Sequence, residues 1–357
     1  MASLSIHPLW LHQARLSSRP VRLSQSVALI RNLKGFPFST QAPTQSRKEV
    51  ANQVLQALQR LPNFQEEWIA CPWGNASHAE RALLKTTVPL VQPCDETVVW
   101  YHQKSFLQII THDEDHLRLQ STKPSGTLKA VWQSVNALEE ALGMQLTYAF
   151  TPQQGYFTSS LETLGMGLQI RVLLHLPALC FDQQLPALIQ AASEMDLQLG
   201  PLQVVNDKVL GHLFYLSNRV NLGTNEKTLL THVENITEQL VAEELRVRKE
   251  MLTQHATFLQ DTVGRAIGLL KNCYELSFEE ASNLLSIFLM AIDNGMLPKQ
   301  QRSALTLLWN SLSRENLSEL CKKNIPLSEE SRMRAQIVKA TLAQWTAAFQ
   351  PKVSHGS

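Results

Sequence analysis

The sequence predicts an α+β fold: an antiparallel sheet flanked by helices through the first two thirds of the chain, followed by an all-helical region. Two observations predict it. Strand-like and helix-like segments in the first part do not alternate regularly, as a doubly wound parallel sheet would require. From Asn225 onward nearly every segment to Phe349 has helical periodicity, with short breaks at Asn272 to Ser277, Asn294 to Gln300 and Asn324 to Ser328. The 357 residues, 44% hydrophobic and 18% charged, can bury a sizeable core and fill about two domains.

Val27 to Ile30 reads as core, followed by a turn at Gly35 to Phe38 and a Ser, Thr, Gln and Pro-rich loop at Ser39 to Ser46. Residues 47 to 61 place Val50, Val54, Leu55, Leu58 and Leu61 on one helical face. Val98 to Tyr101 and Ser105 to Thr111 read as strands around a polar turn, and Leu128 to Leu142 as an amphipathic helix closed by Gly143. Leu168 to Leu176 is a strand ended by Pro177, residues 183 to 196 a helix, and Leu213 to Ser217 a further strand. One long helix is expected over about 228 to 268, with charges such as Glu243, Arg246 and Glu250 on its solvated face.

The five cysteines are scattered, odd in number and without a C-x-x-C pair. They predict buried thiols in a reducing compartment rather than a disulfide framework or a zinc knuckle. No run of about 18 apolar residues and no secretory h-region occurs, which favours a cytoplasmic protein and no membrane partner. No groove-reading motif or aromatic-interleaved basic patch supports nucleic-acid binding. The net charge is only +1, but residues 1 to 48 carry Arg15, Arg19, Arg22, Arg31 and other cations and no acid. Such a segment suits a polyanion, a solvated arm or an organellar transit peptide.

The chemistry concentrates in Thr111-His112-Asp113-Glu114-Asp115-His116-Leu117-Arg118-Leu119-Gln120, where three adjacent carboxylates repel one another unless a cation or donors lie near. A solvated acidic loop and a cation or guanidinium site both satisfy that pattern. A protein-bound metal is not expected, since Mg²⁺ is usually shared with substrate phosphates.

This motif resembles the Asn-Glu-Glu-Asp-His-(Leu/Ile)-Arg of the ATP:guanidino phosphotransferases. Gly155 to Leu179 is similar to that family's Gly-Tyr-Leu-Thr-x-Cys-Pro-Thr-Asn segment and its continuation through His175-Leu176-Pro177-Ala178-Leu179. Leu216-Ser217-Asn218 through Leu222-Gly223 adds a third match. Val263-Gly264-Arg265-Ala266 through Glu280 to Ser286 resembles the helical domain of the bacterial protein-arginine kinases in particular. The resemblance spans roughly residues 22 to 340. It implies a glutamine-synthetase-like catalytic domain over 21–250 and a helical C-terminal domain over 251–350, between an N-terminal arm (1–20) and a disordered tail (351–357).

The same resemblance assigns Glu114 to the family's base position and Ser160 to that of its reactive cysteine. It places Arg118 and Arg31 among nucleotide-contacting arginines, and Arg334, in Glu330-Ser331-Arg332-Met333-Arg334-Ala335, at a phosphoarginine-binding motif; Arg171, two residues on from Gln169 and on the same side of the strand, is either a partial substitute for the arginine lost there or a rim arginine. It implies Mg-ATP as the co-substrate. It also marks losses. Ser26 and Ala28 stand where two phosphate-gripping arginines belong, Gln169 replaces another, and Gly200 to Val205 lacks the arginine and the second guanidinium carboxylate of the family's mobile loop. A rival alignment gives Arg19 and Arg22 the first two roles.

Phosphoryl transfer needs cations on the phosphates and carboxylates on the guanidinium, so losses on both sides imply an impaired member that binds arginine or phosphoarginine on proteins. An active kinase with rearranged contacts is the alternative. A partner such as an activator or adaptor protein, and a homodimer, are further expectations from the resemblance.

Overall fold

The computed structural model describes residues 19–219, 221–321 and 325–345. The arm before residue 19, with Arg15 and the transit-peptide reading, and the tail 351–357 lie outside them.

Along the chain, β1 (Arg22–Arg31) precedes α1 (Thr44–Leu58), the single turn α2 (Phe64–Glu67), β2 (Trp68–Pro72) and α3 (His78–Thr87). Strands β3 (Val98–His102), β4 (Leu107–Thr111) and β5 (Leu117–Lys123) lead into α4 (Leu128–Gly143) and a small hairpin, β6 (Phe150–Thr151) and β7 (Gly155–Tyr156). Then come β8 (Leu168–His175), α5 (Pro177–Phe181), α6 (Leu185–Glu194), β9 (Leu197–Pro201), a second hairpin β10 (Val204–Val205) and β11 (Lys208–Val209), and β12 (Leu213–Asn218). The rest is helical: α7 (Glu226–Gln254), α8 (Ala256–Asn272), α9 (Phe278–Asp293), α10 (Arg302–Ser311), α11 (Arg314–Leu320) and α12 (Leu327–Ala343).

Eight strands form one sheet in the order β2-β3-β4-β5-β1-β8-β12-β9, every neighbouring pair antiparallel. Alternation along each strand divides the sheet into two faces. Leu23, Val27, Leu29, Leu119, Ile170, Val172 and Leu216 are fully buried on the face covered by α4 and α7. The opposite face is closed only over β2 to β4, where Val99, Tyr101 and Ile110 pack with Trp73, Leu84 and Val88 beneath α3. Over β5, β1, β8, β12 and β9 it stays open and polar. The register puts Ser26 between Thr122 and Arg171, and Arg171 beside Ser217, so these side chains share one surface.

Local sequence explains the helix starts. Ser77 and Glu80 form a reciprocal capping box on α3, while Thr127, Asn225 and Ser277 each accept a backbone N–H three residues on. The single long helix expected over 228 to 268 is instead α7 and α8, broken at His255 (φ −126°, ψ 34°). The two have different buried faces: α7 lays Val233, Leu240 and Val247 toward the sheet, and α8 lays Val263, Ala266 and Leu270 toward α9 and α12. A straight helix through Thr253-Gln254-His255 could not present both.

The helical region is tied to the sheet by a buried polar network. The Glu244 carboxylate accepts the N–H groups of Ala178 and Leu179 (3.1 and 3.0 Å) and the Arg248 Nε–H (2.6 Å). Arg248 donates to the His175 carbonyl (3.2 Å), and Ser286 bridges His175 (2.8 Å) and His212 (2.7 Å). All five cysteines are unpaired. Cys71 is buried and the other four half-buried, so the expectation of buried thiols holds fully only for Cys71. Among the described residues no helix is long and apolar enough to cross a membrane.

Candidate active site

The open sheet face floors a groove of two adjoining lobes. The larger, about 460 Å³, is lined by Ser24, Ser26, Thr122, Ser217 and Tyr215 from the strands, with Lys85 and Pro89 from α3 and its exit. The smaller, about 160 Å³, is lined by Asp113, Glu114, Asp115, Ser160 and Glu162. Arg118 and Arg171 border both. Four of the residues singled out in the sequence, Glu114, Ser160, Arg118 and Arg171, therefore meet at one place.

The acidic loop is built by the turn between β4 and β5. His112 adopts a left-handed φ of 53°, and its N–H closes the turn on the His116 carbonyl (3.1 Å). His112 is buried and its imidazole is pushed down to about 4, first by burial and then by the neighbouring His116. His116 accepts the Leu33 N–H at Nδ1 (2.9 Å) and faces the Pro37 carbonyl with Nε2 (2.9 Å), which anchors the loop to the chain after β1.

The three carboxylates have separate duties. Asp113 accepts the N–H groups of Val91 (3.0 Å) and Gln92 (2.7 Å) and so pins the segment after α3 to the rim. Asp115 accepts from Asn32 Nδ2 (2.6 Å), from the Ser159 N–H (2.7 Å) and from its hydroxyl (2.9 Å). Glu114 alone keeps its carboxylate free of hydrogen bonds and ion pairs among the described residues. Burial, followed by the adjacent Asp113 and Asp115, raises its pKa above the ordinary glutamate value. The local Glu114–Arg118 ion pair that a bland acidic loop would form is absent among the described residues.

Arg118 donates to Gln120 Oε1 (2.8 Å) and to Gln169, the residue in place of an arginine. Burial and the nearby Arg171 guanidinium push its pKa down to about 10, which still leaves it cationic at neutral pH. The Arg171 guanidinium makes no hydrogen bond or ion pair among the described residues. Ser160 sits on a loop shaped by glycines. Gly155 (φ 74°) passes so close to Gly165 that a Cβ would lie 2.3 Å from its carbonyl oxygen, and a Cβ on Gly167 would meet the Ile30 carbonyl at 2.5 Å. The Ser160 hydroxyl accepts the Glu162 N–H (3.3 Å).

Two other sequence-assigned arginines lie elsewhere. Arg31 borders neither lobe. It is 2% exposed, donates to Glu139 (2.8 Å) and to the carbonyls of Ile30 (2.9 Å) and Met166 (3.1 Å), and lies 3.5 Å from the centre of the Tyr156 ring. The nucleotide contact expected of it is corrected to a buried structural pair, because its position in β1 turns it toward the helix-covered side. Arg334 is 3% exposed and donates to the carbonyls of Leu312 and Leu276 (both 2.9 Å). It joins helix ends rather than facing solvent, which corrects the expectation of a phosphate-gripping surface arginine. Arg22, one of the two candidates of the rival alignment, is likewise spent, paired with Glu234 at 2.6 Å on the helix side.

Sequence reasoning missed Lys85, Glu162 and the hydroxyl row of Ser24, Thr122 and Ser217. The alternation of Ser24 and Ser26 with buried Leu23 and Val27 was the available signal for that row. Nothing in the chain order linked Lys85 to the groove. Among the described residues no group of His, Cys, Asp and Glu could hold a metal ion.

An antiparallel sheet backed by helices, with a carboxylate lobe and a cationic lobe meeting over its open face, defines a guanidino kinase fold. Solved structures of guanidino kinases share it. Lombricine kinase superimposes with a TM-score of 0.56 over 65% of this chain and 68% of its own, at 19% identity. The duplicated taurocyamine kinase of Schistosoma mansoni gives 0.53 over 63% of this chain and 32% of its own, at 20% identity. Residues 49–247 match the family described as ATP:guanido phosphotransferase, C-terminal catalytic domain, and residues 256–352 the protein-arginine kinase McsB C-terminal domain. The protein-arginine kinase of Clostridium novyi is 28% identical over 330 residues, covering 91% of this chain and 96% of its own. That of Desulforamulus reducens is 30% identical over 300 residues, covering 81% and 82%. The chain belongs to the protein-arginine kinase branch of the ATP:guanido phosphotransferase family.

Proposed function

We propose that this chain is a catalytically impaired protein-arginine kinase that binds arginine or phosphoarginine side chains of proteins in its groove. The observation that carries this reading is the charge placement. Glu114 keeps a free carboxylate for a guanidinium, and Arg118 and Arg171 border both lobes, where a phosphoryl attached to that guanidinium would lie. A guanidinium or phosphoryl group is held well by such charge-assisted bonds.

The donor set does not fit the triphosphate of Mg-ATP as transfer requires. Ser26 and Ala28 supply no charge, Gln169 stands in place of an arginine, and the Leu202 wall of the larger lobe brings neither arginine nor glutamate. A single arginine at such a site is worth about 10³ or more in rate, so these replacements favour binding over turnover. The Ser160 hydroxyl stays neutral where a thiolate would lie beside the guanidinium. The specific observation favouring an active kinase is that Lys85 and Arg171 line the same lobe as Arg118 and could regroup around phosphates. Free thiols agree with a cytoplasmic site of action, and docking of a partner protein or a second copy through the helical region belongs to the same proposal.

The test is fluorescence anisotropy with paired peptides carrying arginine or phosphoarginine. Saturable binding that falls about tenfold or more in Arg118→Ala and in Glu114→Gln is expected. Equal binding by wild type and both variants would remove the groove from the account.

A further inference from the structure

We infer that Glu162 is the second carboxylate of a guanidinium clamp whose first is Glu114, and that the pair makes the groove select arginine over lysine. The inference rests on the reading of the groove as an arginine-side-chain site and deepens it.

A planar guanidinium presents five N–H donors on several edges, and one carboxylate satisfies only one edge. The segment Gly200 to Val205, where a second acid would be sought, has none. Within the smaller lobe four acids are present, but two are committed: Asp113 to Val91 and Gln92, Asp115 to Asn32 and Ser159. Glu114 and Glu162 are the remaining two.

Glu162 has a fixed backbone and a free head. Its N–H is held by the Ser160 hydroxyl (3.3 Å), and its carbonyl accepts from Asn221, a 2%-exposed side chain that also receives the Leu168 N–H (3.2 Å). Its own carboxylate makes no hydrogen bond or ion pair among the described residues. A residue whose main chain is anchored to β8 while its charged head is unpartnered at the rim is positioned to meet a ligand. Arg118 and Arg171 border the same lobe, so the two acids do not stand as an uncompensated cluster. An ammonium, a point charge, cannot use both carboxylates along its edges as a guanidinium does. The selectivity should therefore depend on having two.

The experiment uses the full chain and labelled peptides that differ only in one arginine or lysine, with wild type, Glu162→Gln, Glu162→Asp and Glu114→Gln compared by anisotropy. Wild type should prefer the arginine peptide. Glu162→Gln should bind it about tenfold more weakly and lose most of the preference, and Glu162→Asp should recover part of both. Thermal melting should be unchanged, because the Glu162 head touches nothing it would leave unpaired. If Glu162→Gln keeps wild-type affinity and selectivity while Glu114→Gln loses binding, the second carboxylate is refuted and the groove reading stands. If neither variant alters binding, the groove reading itself fails.

Discussion

Removing the Glu139 carboxylate should destabilise the catalytic-like half of the chain rather than weaken ligand binding. Arg31, at the end of β1, is 2% exposed, and the Glu139 side chain opposite it on α4 is 10% exposed, with 2.8 Å between Arg31 Nε and Glu139 Oε1. In Glu139→Ala the guanidinium keeps the carbonyls of Ile30 and Met166 and the face of Tyr156 but loses the one charge it pairs with among the described residues. Breaking such a buried pair from one side costs about 3–5 kcal/mol. For a domain of roughly 200 residues each kcal/mol lowers Tm by about 2–4 °C, so a fall of about 6–20 °C is expected. Glu139→Gln keeps an acceptor at the same place and should lose less. The assay is thermal unfolding followed by circular dichroism, with peptide binding measured at a temperature where both variants are folded. A Tm within about 1 °C of wild type in Glu139→Ala, or phosphoarginine-peptide binding lost with Tm unchanged in Arg31→Lys, would refute the structural assignment of Arg31.

Glu114 should show the opposite pattern. Its folded pKa is raised, so the fold favours its protonated form; that stability is present below the unfolded pKa and lost as pH rises through the folded one. Glu114→Gln should therefore melt higher than wild type near neutral pH, with the gap closing in acid, while arginine-peptide binding falls. Binding by wild type should weaken with acidification from a higher pH than an ordinary glutamate would give, and this dependence should vanish in the variant. Arg334→Ala should destabilise the helical region by about 1.5–3 kcal/mol for each charged bond lost to Leu312 and Leu276, read by denaturant titration, and leave phosphoarginine-peptide affinity unaltered. Ser26→Arg combined with Gln169→Arg should raise Mg-ATP affinity at least tenfold by calorimetry, because both positions lie on the open face beside Arg118 and Arg171. No gain would mean that the missing arginines are not what limits nucleotide binding.

The sheet and its strands were legible because their apolar alternation is local, and β3, β4, β8 and β12 sit within a residue or two of where periodicity placed them. Arg118 and Gln120 were harder. Read as the end of an acidic loop, they belong to β5, and only pairing with β1 and β4 puts them on the groove face. The resemblance to guanidino kinases brought Glu114, Ser160, Arg118 and Arg171 to one site from stretches of chain far apart. It could not tell that Arg31 and Arg334 are internal, because exposure of an arginine depends on which face its element turns inward. The break at His255 was hidden for a similar reason: each half of the 228 to 268 stretch is amphipathic, and only packing shows that the two stripes face different neighbours. Glu162 was invisible until the loop from Gly155 to Gly167 brought it to the lobe that Glu114 lines.

An impaired kinase and a working one differ in whether the groove turns over ATP. Isothermal titration of the purified chain with Mg-ATP, followed by detection of acid-labile phosphoarginine on an arginine-rich protein, tests this directly. The account predicts no micromolar Mg-ATP binding and no phosphoarginine above the level of a Glu114→Gln control. Micromolar binding together with Glu114-dependent, acid-labile phosphorylation would contradict it and establish a working kinase with rearranged phosphate contacts.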